Sequence, residues 1–336
     1  MNKNPQTLAG LVLLLALAAC GGGGGGNDSN SGGGSTASTY TPSAAVLAAK
    51  TTNYATPFYA STGSGSGCGN VSNTTVYLLP NTITYAAQGV SESSQQQAAE
   101  YAEQAVGEIR TALGLATATG YQGTRVQVCA QTGLILGSAT GMGEKDGLIV
   151  TSSDSASLDR AYLSNGFDLY KKLLKHEMVH VYHQATLGTN AAVLDTWFAE
   201  GFAEFVASGK STKSKTEIMN MVNTQNPIAV MTSGMGTGNL AYYPAFQSSV
   251  AYLFDANGAK NSLTLIPAFM AALKTNYTNA SLTCAAAGTC ATFRETAFTQ
   301  TFEVHFKEAD TTAMRLRAGT SNLQDTIATR LSNFLQ

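Results

Sequence analysis

The chain runs to 336 residues, of which 44% are hydrophobic and only 12% charged, about half the usual charged share. That length can enclose a substantial core. A formal net charge of -2 leaves no basic excess to neutralise phosphates, which excludes a nucleic-acid binder, and the lack of any fixed-period repeat excludes solenoids and propellers.

In chain order, the first segment is MNKNPQTLAGLVLLLALAAC, in which residues 8–19 carry no charge. The run is too short to span a bilayer and fits the apolar region of a secretory signal peptide over 1–19. Its end, Leu17-Ala18-Ala19-Cys20, resembles the lipobox of bacterial lipoproteins. The resemblance implies that Cys20 becomes a lipidated first residue and that the protein meets the membrane through that anchor at the bacterial cell envelope. Gly rather than Asp at position 21 points, by the same resemblance, to the outer membrane. Residues 20–40, rich in Gly and Ser, read as a flexible linker with an r.m.s. reach of roughly 25 Å.

Apart from Cys20, Cys68, Cys129, Cys284 and Cys290 remain. An even number in an exported chain suggests two disulfides. Three pairings are possible; Cys68 with Cys129 and Cys284 with Cys290 is the favoured one.

A strand is expected over 74–80. A helix follows, with Ala102, Ala105, Ile109 and Ala112 on one face and Gly114 at its C-terminal end. Further strands are expected over 124–130 and 147–152. From about Gly166 the pattern is helical: 167–182, 196–208, 244–257, 263–274 and several segments from 292 onward, with loops over 208–215 and 233–239. The class is α+β, with a sheet-bearing lobe over 41–185 and a mainly helical lobe over 186–336.

Residues 176–183 read HEMVHVYH and hold three of the four histidines. On a helix, Phe167, Tyr170, Leu174, Met178 and Val181 form the apolar stripe, and His176 and His180, one turn apart, can share a metal ion. Zinc suits imidazole, lowers the pKa of bound water to about 7, and leaves Glu177 placed as general base without being a ligand. His183 lies too far along the axis to join them and reads at best as a residue beside the metal ligands or lining the cleft, and equally as a plain polar residue near a helix end.

A third ligand is sought in DTWFAEGFAEFVASG, residues 195–209. Asp195 can cap this helix, Glu200 and Glu204 share a face, and Gly201 allows close packing. Glu200 is assigned as the third ligand and Glu204 as an acceptor that orients a ligand histidine, His176 first.

HEMVH followed by WFAEGFAE resembles the gluzincin zinc peptidases, which share HExxH and EGxAE helices; the resemblance covers roughly 169–253. It implies a zincin-like fold with Zn2+ in a cleft between a sheet-bearing and a helical lobe, and a peptide or protein as substrate. It also implies an oxyanion-stabilising tyrosine at the start of a helix, here Tyr243 with Tyr242 as fallback. GMGEKDG, residues 141–147, matches the aminopeptidase motif poorly, so exopeptidase action is not implied. By analogy, 147–152 is the edge strand that pairs with an extended peptide. The competing readings are a non-catalytic lipoprotein that keeps the fold as a binding or assembly factor, and a metallohydrolase acting on other bonds.

Overall fold

A computed structural model describes residues 40–58, 67–69, 74–116, 119–121, 123–135, 140–144, 147–154, 167–229, 241–287 and 293–335. The expected signal peptide, Cys20, the linker to residue 39, the loop 233–239 and Cys290 lie outside these residues. Among the described residues, no helix is long and apolar enough to cross a membrane.

The architecture is α+β, one six-stranded sheet with helices. The strands are β1 (Lys50–Tyr54), β2 (Thr74–Leu78), β3 (Thr82–Ala86), β4 (Val126–Gln131), β5 (Gly141–Glu144) and β6 (Gly147–Thr151), ordered β1-β2-β3-β4-β6-β5. β3, β4 and β6 run parallel; β1, β2 and β5 add antiparallel flanks. Strands expected over 74–80, 124–130 and 147–152 correspond to β2, β4 and β6, whereas β1, β3 and β5 went unread. The expected edge role of 147–152 is incorrect: β6 is paired on both sides, and β5 forms that margin. Burial on both faces explains why β6 reads as an unbroken apolar run rather than an alternation.

Side chains alternate across the sheet as the pleat requires. Val126, Val128, Leu148 and Val150 join the main core with the helices, while Ile83, Tyr85, Cys129, Met142 and Ile149 form a second cluster on the opposite face. The Cys68–Cys129 disulfide, joining residues 61 apart, closes that second cluster. Cys284 is also disulfide-bonded.

Helices α1 (Ala44–Ala48) and α2 (Glu92–Leu113) belong to the sheet region. Ser91 caps α2 by accepting from the Ser94 N–H, and Gly114 ends it at φ 64, a left-handed value that costs glycine little. Ala102, Ala105 and Ile109 are buried as expected, but Leu113, not Ala112, completes the stripe.

Helix α3 (Phe167–Leu187) extends five residues past its expected end, because HQATL continues the helix and buries Leu187 before Gly188 turns at φ 66. There follow α4 (Thr196–Ser208), α5 (Lys215–Thr224), α6 (Tyr243–Phe254), α7 (Ile266–Ala287), α8 (Phe293–His305) and α9 (Leu323–Phe334). α5 was not expected. Its Ser214 and Glu217 form a reciprocal capping box that the polar, Lys-rich surroundings obscured. α6 stops before the expected 257 because Asp255 leaves helical geometry and accepts from the Asn257 N–H.

Candidate metal centre

On α3, Tyr170, Leu174, Met178 and Val181 are buried in the core as the stripe predicts. His176, Glu177 and His180 occupy the adjacent face, and they too are buried, because α4 packs across that face. Gly201 permits the arrangement: a Cβ there would lie 2.5 Å from the Phe246 carbonyl oxygen, so α4 and α6 touch backbone to backbone. Glu200, the residue before Gly201, faces α3.

Nε2 of His176 and Nε2 of His180 are 3.1 Å apart, and Oε2 of Glu200 lies 3.4 Å from the first and 3.3 Å from the second. Three atoms so spaced surround a point about 1.9 Å from each, near the ligand distances of about 2.0–2.2 Å at which they would hold an ion. Oε2 of Glu200 is buried with no properly directed hydrogen-bond donor, despite its proximity to both rings. Two imidazole nitrogens and one carboxylate oxygen thus meet around a shared position. Among the described residues these three form the group of His, Cys, Asp or Glu side chains able to hold a metal ion.

Glu204, one turn beyond Glu200, places Oε1 3.1 Å from Nδ1 of His176 and Oε2 2.6 Å from Nζ of Lys172. It lies beside His176, and Lys172 is a partner that the sequence reading missed. The available signal was its position one turn before His176 on the same helix.

The electrostatics follow from burial and these contacts. Burial opposes a charged His176, but Glu200 and Glu204 outweigh it and hold its pKa well above the usual value. Burial likewise opposes the Glu200 carboxylate, yet His180 and His176 hold it below the usual range. Glu177 is pushed up by desolvation, with His176 and His180 acting the other way. A divalent cation changes this balance, since metal-ligating imidazoles must be neutral.

Glu177 adjoins the triad without joining it. Its Oε2 accepts a hydrogen bond from the Gly143 N–H at 3.1 Å, and its Oε1 is buried without a hydrogen-bond partner among the described residues. Gly143 was missed, although G-x-G in a strand signals two close backbone approaches on one face. A Cβ at Gly141 would lie 2.5 Å from Cγ of Glu177, and one at Gly143 would lie 2.2 Å from the Glu177 carbonyl oxygen.

Tyr243 opens α6 and is buried, its ring stacked on His176 at 6.2 Å and 11°; Tyr242, the residue before it, is half-buried. Desolvation and the neighbouring Glu200 push the Tyr243 phenol far above its usual pKa, so it stays a protonated donor. His183 lies outside the group of converging ligand atoms. It is buried against Phe202 and His180, with burial holding its imidazole neutral.

Asp195 corrects another expectation. It occupies the N-cap position of α4 but makes no side-chain cap bond. Its carboxylate instead accepts from Arg317 Nη2 and from Trp197 Nε1 at 3.2 Å.

No family model matches the chain, and no curated protein matches it.

Proposed function

We propose that the protein is a zinc-dependent peptidase of the gluzincin type. The observation that carries this reading is the convergence of His176, His180 and Glu200 on one point with Glu177 beside it. Two imidazole nitrogens and one carboxylate oxygen form a mixed donor set that suits zinc, which when bound supplies a Lewis acid for water activation and carbonyl polarisation.

The side chains have separable tasks in this reading. Glu204, itself held by Lys172, fixes the ring of His176 through Nδ1 and leaves Nε2 facing inward. Glu177 is the general base: one oxygen is anchored by Gly143, and the other is unengaged and accepts a proton from water. Tyr243 donates its hydroxyl to the oxyanion as charge develops on the substrate carbonyl. β5 is the sheet margin against α3, which makes it, rather than β6, the strand beside which a peptide chain lies.

The lipobox-like Cys20 and the linker behind it support tethering of this activity to the bacterial cell envelope, at the outer membrane. The deciding experiment measures metal content and hydrolysis of a broad peptide library by wild type and Glu177→Gln. About one zinc per chain is expected in both, with turnover falling about 10²–10⁴-fold in the variant. Protein purified without zinc and indifferent to its addition, or undiminished turnover in the variant, would falsify the reading.

A further inference from the structure

Among the described residues, β5 is the last strand on its side of the sheet. Thr151 donates its N–H to the Thr140 carbonyl, and the register continues as Gly141↔Val150, Met142↔Ile149 and Gly143↔Leu148. In an antiparallel pair the bonding direction alternates, so the N–H and C=O of Gly143 both point away from β6. Unpaired groups on a sheet margin ordinarily invite another strand. At Gly143 both are taken by α3: the N–H donates to Oε2 of Glu177, and the carbonyl accepts from Nε2 of Gln184, each at 3.1 Å.

Glu177 and Gln184 lie about two turns apart on α3, and β5 crosses the helix between them. A Cβ at Gly143 would sit 2.9 Å from both Cβ of His180 and N of Val181, midway along that interval. The helix therefore grips one glycine from both sides. In an extended residue the N–H and C=O point the same way, so a donor that pins the carbonyl also aims the N–H. That N–H is the hydrogen bond that orients the otherwise unengaged Glu177 carboxylate.

We propose that Gln184 is a positioning residue for Glu177, acting through the backbone of Gly143, whose N–H and C=O lie on either side of one Cα; this rests on the peptidase reading, in which Glu177 is the base. The same grip closes the β5 margin at Gly143 to a further strand, so an extended substrate must find its backbone partners elsewhere on that margin.

The test uses the full-length, zinc-loaded protein and Gln184→Met, which keeps length but removes the donor. Gln184→Glu, of the same shape with an acceptor in its place, serves if the first fails to fold. Amide exchange at Gly143 is expected to accelerate about tenfold, the scale of one lost hydrogen bond. The ¹³C carboxyl resonance of Glu177, assigned with Glu177→Gln, is expected to move, while zinc Kd stays within about threefold because no ligand contact is lost. Unchanged Gly143 exchange or an unmoved Glu177 resonance overturns the proposal. So does zinc affinity that falls in step with the exchange, which marks general loosening of α3. A wild type that binds zinc but cleaves no peptide removes the peptidase reading instead, and the exchange and resonance still decide whether Gln184 holds Glu177.

Discussion

At the start of α4, Asp195 is buried and meets the guanidinium of Arg317 and the indole of Trp197. Just over one turn later on the same helix, Glu200 is equally buried but meets two imidazoles, and one of its oxygens lacks a directed donor. Burying a carboxylate is costly in both places. At Asp195 the protein supplies the compensating charge from its own chain; desolvation still lifts its pKa to about 6, with Arg317 acting the other way. At Glu200 it supplies imidazoles, which can carry the positive charge themselves or give it up to a metal ion. The difference separates a carboxylate that holds the fold together from one arranged to receive a cation.

The sharpest way to break this comparison is to remove each partner in turn. Arg317→Met strands the Asp195 charge and should cost about 3–5 kcal/mol of stability by urea unfolding, while the folded fraction still binds zinc. Glu200→Gln should behave oppositely: zinc affinity by chelator competition falls by more than the 10–100-fold (about 1.4–2.7 kcal/mol) typical of an outer partner, while the metal-free protein loses less stability than Arg317→Met does. Equal stability losses in the two variants would erase the distinction. Gly201→Ala forces α4 away from α6 and should cost about 1–3 kcal/mol. Because Glu200 moves with the helix, zinc binding should weaken too, joining the two effects in one variant. The smallest expected effect is that of Lys172→Met, which frees Glu204 and should weaken zinc binding about tenfold with little change in unfolding.

The elements most legible in the sequence were those whose signals are local. The α3 stripe, the i, i+4 histidines, the paired glutamates of α4 and the glycine ending α2 all depend on neighbours within a few turns. Asp195 was misread because its partner Arg317 lies far along the chain, and nothing local distinguishes a cap from a buried ion pair. β5 was unreadable as a strand because its glycines carry no hydrophobic pattern; their meaning appears only with α3 laid across them. α7 was read only to 274 because TNYTNASLTCAAA has little apolar periodicity, and the helix continues through it regardless. His183 looked polar because imidazole usually is, and Phe202 from the next helix is what buries it.

Gly141 and Gly143 carry a consequence for recognising kindred proteins. Their constraint is steric and concerns how a strand passes under a helix, so it operates whether or not a metal is ever bound. A descendant that lost His176 or Glu200 would still be held to glycine at 143, where the α3 backbone lies, whereas Gly141 meets only the Glu177 side chain and is tied to that residue. One that retained the histidines but placed a larger residue at 143 would need a different seating of β5. Gly143 thus marks how β5 is seated on α3, and the HEMVH and EGFAE segments carry the metal-ligand pattern separately.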